Sequence, residues 1–244
     1  MYGLIGKKLG HSFSADFFNN KFAREGINDH YYLFPLEEIS EFPHLLLENP
    51  DLEGLNVTIP YKQQLIPYLN SLSEEAEKIG AVNVIKFQRD GKDLKLIGYN
   101  SDCIGFKISL LPLLHDKIKK ALVLGTGGAS KAVSYVLKNL GLEVNFVSRK
   151  PGENLLTYED LDQDIMKENL LIVNTTPLGM FPEIESYPPI PYHFLTPLHV
   201  CYDLVYNPLE TLFMKKASEQ GAVVKNGLEM LEQQALAAWD IWRK

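Results

Sequence analysis

The sequence predicts an α/β protein with two domains, and three features of its 244 residues carry that prediction. Short apolar segments alternate with helical segments along the chain, as they do in proteins that layer helices on sheets. A glycine-rich turn, VLGTGGAS at 123–130, follows a strand pattern and opens a helical one. The last segment, GLEMLEQQALAAWDIWRK, has the periodicity of an amphipathic helix.

In the first half of the chain, short apolar segments predict the strands of an α/β substrate domain over residues 1–102. These strand segments lie at 2–6, 31–35, 54–59, 82–87 and 94–99. Helical spacing is found at 14–25 and 61–78, and again at 102–117, a connecting helix that Pro112 interrupts.

Residues 103–225 predict a Rossmann-like domain with a parallel, doubly wound sheet. Its strand segments are KALVLG, EVNFVSR, NLLIVNT and VCYDLVY, and the helix ASKAVSYVLKNLG closes on Gly141. Such continuous apolar strands are typical of a sheet that is covered on both faces. The proline-rich segment 181–197 predicts a surface loop.

The final helix places apolar side chains at helical intervals, so we expect residues 226–244 to pack back on the first domain. These side chains are Leu228, Leu231, Ala235, Ala238 and Trp242.

Composition limits the partners that this chain can have. A net charge of -7 and a pI near 5.4 argue against nucleic acid or an anionic membrane as partner, because phosphate binding favours a basic surface. Cys103 and Cys201 match no disulfide or metal-site spacing, which predicts a reduced, cytoplasmic protein without a metal. We expect a small-molecule substrate, and the sequence is compatible with either a monomer or a homodimer.

The glycine-rich turn predicts a dinucleotide site. Gly125 allows the tight turn, Gly127 lets the main chain approach a pyrophosphate, and the following helix offers its free N–H groups to that anion. The third position of the fingerprint holds Ser130, which is small but is not glycine.

The end of the next strand indicates which dinucleotide binds. Ser148, Arg149 and Lys150 stand where an NAD-binding protein has a carboxylate for the ribose. A guanidinium suits a 2′-phosphate instead, so NADP is favoured over NAD. The alternative is that both cations simply face solvent at a strand end, which leaves the choice of cofactor open.

Two groups of polar side chains follow strands of the first half. Ser12 and Ser14 follow the first strand and could together bind a carboxylate, although Ser14 could equally cap the next helix. Pro60 ends the strand in NVTIPYK and directs Thr58 and Lys62 beyond its carboxyl end, where ligands bind in open α/β sheets.

Asn83 and Asp102 complete the candidate substrate site. A surface lysine at position 62, a turn amide at 83 and a helix cap at 102 are the structural alternatives. Together, however, Lys62 and Asp102 make an ammonium and carboxylate pair of the kind that carbonyl reduction uses. The ammonium can stabilise charge that grows on the carbonyl oxygen and can donate a proton to it.

With these residues assembled, the chain resembles the shikimate dehydrogenase family, NADP-dependent enzymes that reduce 3-dehydroshikimate to shikimate on the way to aromatic amino acids. The resemblance covers nearly the whole length. It rests on an ordered set of motifs: GHSFS, NVTIPYK, IGAVNVI, GYNSD, VLGTGGAS, VSRK, NTTPLGM, YDLVYNP and GLEMLEQQA.

The resemblance implies a role for each candidate residue. Lys62 and Asp102 would be the catalytic pair, with substrate held between the two domains. The other implied substrate contacts are Ser12, Ser14, Thr58, Asn83, Tyr206 and Gln234. The implied NADP contacts are Gly125, Gly127, Gly128, Ala129, Ser148, Arg149, Lys150, Thr175, Leu204 and Gly227.

This sequence departs from the family pattern at several positions. Ala15 replaces a proline after the serine pair, and Ser101 replaces a threonine but keeps a hydroxyl. The segment KPGENLLTY after Arg149 is short and partly acidic, which weakens the implied choice of NADP, although Lys150 could compensate.

Other functions are compatible with parts of this pattern. They are a quinate/shikimate dehydrogenase with broader substrate or cofactor use and a non-catalytic ligand-binding paralogue, against which Lys62 and Asp102 argue. A tetrahydrofolate-linked dehydrogenase of similar two-domain shape would not explain Ser12 and Ser14.

Overall fold

The computed structural model describes residues 1–10, 12–91 and 93–244, so His11 of the GHSFS motif lies outside the described residues. The chain divides into a first unit of residues 1–101 and 234–244 and a second unit of residues 102–233. The sequence-based limits were 102 instead of 101 at the first junction and 226 instead of 234 at the second.

The first unit is built around a sheet with the strand order β2-β1-β3-β5-β6-β4. Its strands are β1 (Tyr2–Gly6), β2 (Tyr31–Pro35), β3 (Gly54–Val57), β4 (Ser71–Leu72), β5 (Val84–Asp90) and β6 (Asp93–Tyr99). Its helices are α1 (Phe13–Glu25), α2 (Phe42–Glu48), α3 (Tyr61–Gln64) and α4 (Glu74–Ile79). β1 pairs in parallel with β2 and β3, whereas β5 is antiparallel to β3 and to β6.

The segment 61–78 was predicted as one helix, and that prediction was wrong. The structure contains α3, a short 3-10 turn over Ile66–Tyr68, the strand β4 and then α4. Pro67 has no N–H for a continuing helix, and β4 instead pairs with Ile97 and Gly98 of β6. α4 is then a separate helix that begins at Glu74, and the hydroxyl of the preceding Ser73 accepts a hydrogen bond from the Ala76 N–H.

The second unit has a sheet with the order β12-β11-β10-β7-β8-β9, and its neighbouring strands pair in parallel as predicted. The strands are β7 (Lys120–Leu124), β8 (Glu143–Ser148), β9 (Leu155–Thr157), β10 (Leu171–Asn174), β11 (Val200–Asp203) and β12 (Val223–Lys225). The helices are α5 (Asp102–Leu110), α6 (Gly128–Asn139), α7 (Gln163–Glu168) and α8 (Leu212–Ser218).

Two predictions for the second unit need correction. The connecting helix was predicted over 102–117, but α5 ends at Leu110 and a 3-10 turn that contains Pro112 follows it. The segment 181–197 was predicted as a surface loop, yet Ile190 and Leu195 are buried in the hydrophobic core of this unit.

The C-terminal helix α9 (Leu228–Arg243) contributes its last residues to the first unit. There, Trp242 and Trp239 join a buried cluster with Tyr2. The Trp242 Nε1–H donates to the carbonyl oxygen of Ile85 at 3.0 Å. Gly54 of β3 leaves the space that the indole ring fills, because a Cβ at position 54 would lie 2.4 Å from that ring.

Candidate active site

The carboxyl ends of β1 and β3 bring two of the predicted groups to one edge of the first sheet. These strands are parallel neighbours, with Ile5 opposite Val57. Immediately after β3, the Thr58 N–H donates to the carbonyl oxygen of Ile5 at 2.9 Å. Ser12 and Ser14 follow β1, and Thr58 and Lys62 follow β3, so the topology places all four beyond the same edge.

The two predicted serines occupy different positions around the start of α1. Ser12 is the residue before the helix and has an extended backbone, with φ of -105° and ψ of 117°. Ser14 lies inside the first turn, so the alternative that Ser14 caps the helix is wrong. Burial raises the pKa of the Tyr31 phenol group, and the nearby Ser14 side chain opposes part of that rise.

Lys62 is half-buried in α3, directly after the proline that ends β3. Its carbonyl oxygen accepts a hydrogen bond of 2.7 Å from the Val82 N–H. This main-chain hydrogen bond connects Lys62 to the GAVNVI segment, and it does not depend on the lysine side chain.

Asn83, Ser101 and Gln234 form a buried polar cluster, although they are far apart in the sequence. The Asn83 Nδ2 donates to Ser101 Oγ at 3.0 Å and lies 3.4 Å from Gln234 Oε1. The Ser101 N–H donates to Asn83 Oδ1 at 2.6 Å. Because a main-chain N–H can only donate, this bond fixes which way the Asn83 amide points.

Two residues that the sequence did not mark extend this cluster. Asn56, buried within β3, donates from Nδ2 to the carbonyl oxygen of Asn83 at 3.2 Å. Tyr31 donates from its hydroxyl to Asn56 Oδ1 at 2.7 Å. Asn56 shows the signal that singled out Asn83, a polar residue inside an apolar run, whereas an aromatic residue such as Tyr31 gives no such signal.

Asp102 and Tyr206 belong to the second unit. Asp102 is half-buried and is the first residue of α5, so it stands inside the first turn rather than at the cap position ahead of it. Negative charge in a first helical turn is favoured by the N–H groups that point toward it. Tyr206 lies beyond the carboxyl end of β11 with 36% of its surface exposed.

The glycine turn has the geometry that a dinucleotide requires. Gly125 has a φ of +105°, which disfavours any side chain, and its missing Cβ would lie 3.0 Å from Thr175 Oγ1. At Gly127 and Gly128, by contrast, an added Cβ would meet open space, so the main chain before α6 is accessible to a large anion. These residues and Ala129 lie at the N-terminal end of α6, where N–H groups favour phosphate.

The residues predicted to choose between NADP and NAD lie at the end of β8. Ser148 is half-buried, while Arg149 and Lys150 are exposed. Burial raises the pKa of Tyr158, and the positive charge of Arg149 opposes part of that rise, which places the guanidinium near this ring. An exposed cation at this strand end fits the 2′-phosphate of NADP.

The three residues assigned to the nicotinamide region follow the ends of β10, β11 and β12. Thr175 donates from its N–H and its hydroxyl to the carbonyl oxygen of Leu124, at 3.0 and 2.7 Å. The Leu204 N–H donates to the carbonyl oxygen of Asn174. A Cβ at Gly227 would lie 2.1 Å from the carbonyl oxygen of Leu204, so only glycine fits there.

Asp203, which sequence reasoning passed over as part of an apolar strand, holds these loops together. Its carboxylate is fully buried and accepts hydrogen bonds from Asn174 Nδ2 at 2.9 Å, from the Val205 N–H at 3.0 Å and from Thr211 Oγ1 at 2.6 Å. Burial raises the pKa of Asp203 to about 6, although the three hydrogen bonds oppose the rise.

We predict that Asp203→Asn changes how stability depends on pH. The folded state holds a proton on Asp203 up to about pH 6, whereas the unfolded state releases it near pH 4, so this group lowers stability as pH rises between those values. The shift corresponds to about 3 kcal/mol. The unfolding free energy of the variant relative to wild type should therefore increase by that amount from pH 4 to pH 7, measured by urea unfolding with far-UV circular dichroism.

Asp160→Asn is the control, because Asp160 has a pKa shift of the opposite sign. Hydrogen bonds from Thr157 lower the pKa of Asp160, so its contribution is present above its unfolded pKa and is lost as pH falls. The relative stability of this variant should change in the opposite direction. A constant difference between Asp203→Asn and wild type across this pH range would contradict the prediction.

The described part of the chain lacks a metal site and a membrane-spanning helix. No group of three or more His, Cys, Asp or Glu side chains there could hold a metal ion. Among the same residues, no helix combines the length and apolar character needed to cross a membrane.

Comparison with known proteins identifies relatives of both units. Residues 4–85 match the family model for the shikimate dehydrogenase substrate binding domain. A shikimate dehydrogenase (NADP(+)) from Caldicellulosiruptor bescii is 39% identical over 256 aligned residues, which cover 98% of this chain and 88% of the relative.

Solved structures show the same likeness. The Thermus thermophilus shikimate 5-dehydrogenase in complex with NADP(H) and shikimate is 31% identical, with a TM-score of 0.85 over 99% of this chain and 92% of that one. A quinate dehydrogenase from Corynebacterium glutamicum in complex with NAD has a TM-score of 0.86 at 25% identity, over the same shares of the two chains.

Proposed function

This chain belongs to the shikimate dehydrogenase family, and on that premise we propose that it catalyses the reversible NADPH-dependent reduction of 3-dehydroshikimate to shikimate. It is thus an oxidoreductase of chorismate and aromatic amino acid biosynthesis that acts on a CH–OH group. The observation that carries this function is identity of 39% across 98% of the chain to a relative of that name. The cluster of Asn83, Ser101 and Gln234 supports it independently.

The first unit would bind the two ends of the substrate. Ser12 and Ser14, beyond β1, would bind the carboxylate as hydroxyl donors. Thr58, Asn83 and Gln234 would bind the ring oxygens, and Tyr206 of the second unit is proposed as a further substrate contact. These groups orient the substrate, and orientation supplies much of the rate when two reactants must meet in one geometry.

Lys62 is the proposed proton donor. When bound, NADPH supplies the hydride. Negative charge then grows on the carbonyl oxygen, and the Lys62 ammonium stabilises it and donates a proton. Asp102 is the proposed catalytic partner of this lysine.

The second unit would hold the cofactor in three places. Gly125, Gly127, Gly128 and Ala129 fit the pyrophosphate, because the turn leaves open space before α6. Ser148, Arg149 and Lys150 would hold the 2′-phosphate. Thr175, Leu204 and Gly227 would line the nicotinamide. Gly227 lies so close to the carbonyl oxygen of Leu204 that no side chain fits at position 227.

Arg149→Ala is expected to weaken the preference for NADP over NAD by about 10- to 100-fold in kcat/KM, because a charge-assisted bond to the phosphate contributes about 1.5–3 kcal/mol. The measurement is kcat/KM with each cofactor. Lys138→Ala removes a cation from the last turn of α6 and serves as the control for net charge. An unchanged cofactor ratio in Arg149→Ala would remove this residue from the phosphate site.

One spectrophotometric assay tests the proposed function. Purified protein is offered shikimate or quinate with NADP⁺ or NAD⁺, and reduction of the nicotinamide is followed by its absorbance. We expect shikimate with NADP⁺ to give the highest kcat/KM. The likeness to a quinate dehydrogenase favours quinate/shikimate dehydrogenase as a second candidate, and faster turnover of quinate would replace the first proposal with that one.

We also propose a cytoplasmic location, in line with two cysteines, Cys103 and Cys201, that are both buried and match no disulfide spacing. Size-exclusion chromatography with light scattering would distinguish the monomer from the homodimer.

A further inference from the structure

Tyr31 connects the two ends of the proposed substrate site within the first unit. Its side chain is fully buried, and its ring stacks on Phe18 with centroids 4.8 Å apart. The Asn19 side chain binds both polar groups of the Tyr31 main chain, donating to the carbonyl oxygen at 3.1 Å and accepting from the N–H at 2.9 Å. These bonds hold Tyr31 of β2 against α1, the helix that carries Ser14.

Tyr31 then links α1 to the amide cluster through its phenol oxygen, which donates to Asn56 Oδ1 at 2.7 Å. Asn56 continues the connection to the carbonyl oxygen of Asn83, whose side chain lies beside Gln234. We call this series of hydrogen bonds from Tyr31 through Asn56 to Asn83 the Tyr31 relay.

The direction of each hydrogen bond in the Tyr31 relay follows from one main-chain group. A carbonyl oxygen can only accept, so the nitrogen of the Asn56 amide must face Asn83 and its oxygen must face Tyr31. Tyr31 therefore donates to Asn56, and its phenol group is held in a defined orientation.

We propose that Tyr31 is a positioning residue for substrate binding. Its main chain is bonded to α1, the helix that carries Ser14, and its phenol group is bonded through Asn56 to the Asn83 segment, so Tyr31 sets the separation of the two. This inference rests on the proposed function and deepens it. A ring with a carboxylate at one end and hydroxyl groups at the other is rigid, so the groups that bind its two ends must be spaced in advance. Tyr31 would supply that spacing without contacting the reacting carbon.

Tyr31→Phe keeps the stacked ring and removes only the phenol oxygen. Loss of one hydrogen bond in the site should raise KM for shikimate about threefold to tenfold. The value of kcat should change by less than about twofold, because a contact that affects ground state and transition state equally alters KM alone. KM for NADP⁺ should be unchanged.

Tyr2→Phe is the matched control. Tyr2 belongs to the same buried cluster, and its hydroxyl donates to Glu53 Oε2 at 2.8 Å, outside the Tyr31 relay. Both variants lose one phenol hydrogen bond, so both should show a lower thermal midpoint, but only Tyr31→Phe should raise KM for shikimate. Equal increases in KM from the two variants would mean that general loosening is responsible, and would overturn the proposal.

Asn56→Ala removes the side chain that accepts the hydrogen bond from Tyr31. It also provides a second test of the proposal if Tyr31→Phe fails to fold. It should raise KM for shikimate, and the double variant should raise KM no further than the larger single change, because both remove one connection. If the increases in KM from the two single substitutions multiplied in the double variant, the proposed role of the Tyr31 relay would be overturned. Wild-type protein without activity on shikimate would instead refute the proposed function, whereas active wild type with unchanged KM in Tyr31→Phe refutes only the role of Tyr31.

Discussion

Replacing Lys62 with methionine is expected to lower kcat for shikimate oxidation by about 10²- to 10⁴-fold, the usual contribution of a positioned acid or base. Methionine keeps much of the length of the side chain but can neither donate a proton nor stabilise negative charge. The fold should survive, because the 2.7 Å bond from Val82 is made to the main chain of Lys62. The measurement is kcat and KM in the spectrophotometric assay.

Two comparisons separate a catalytic role from a general one. Affinity for NADP⁺, measured by calorimetry, should be unchanged in Lys62→Met, because the proposed cofactor residues lie in the second unit. Lys78→Met makes the same substitution at an exposed ion pair with Glu74 in the same unit and should keep wild-type kcat. If Lys62→Met turned over shikimate at the wild-type rate, Lys62 would not be the proton donor.

The strands of the second unit could be predicted because their sequence pattern is local. A strand buried on both faces is a continuous apolar run, and a glycine after it marks a turn that needs a positive φ, as Gly125 shows with its value of +105°. The segment 61–78 could not be predicted in the same way. Pro67 interrupts the helix locally, but the strand that follows depends on the pairing of Ser71 and Leu72 with β6, a contact between segments far apart in sequence.

The same distinction between local patterns and long-range contacts applies to the residues of the candidate site. Asn83 could be singled out because a polar side chain stands out in an apolar run, whereas Gln234 was implied only by the family resemblance. The structure brings the two together from 151 positions apart. Tyr31 and Asp203 could not be singled out, because their importance depends on which groups surround them. A buried tyrosine in a strand is an ordinary core residue until Asn56 is found beside its hydroxyl.

Trp242→Ala is expected to lower the unfolding free energy of the first unit by about 3–5 kcal/mol, the range for removing a large aromatic side chain from a core. The indole is 7% exposed and stacks on Tyr2 with ring centroids 4.8 Å apart. Its Nε1–H also satisfies the carbonyl oxygen of Ile85, which the variant would leave without this donor. The loss should also raise KM for shikimate, because the same helix carries Gln234.

Tryptophan fluorescence reports this unfolding selectively, because the chain has two tryptophans and both lie in the first unit. In Trp242→Ala, the signal of Trp239 follows urea unfolding. Leu236→Ala, an exposed position on the same helix, should cost less than about 0.5 kcal/mol. Gly54→Ala tests the contact from the sheet, because its added Cβ would lie 2.4 Å from the indole ring and must displace it. A loss below about 1 kcal/mol in Trp242→Ala would mean that this contact does not anchor α9.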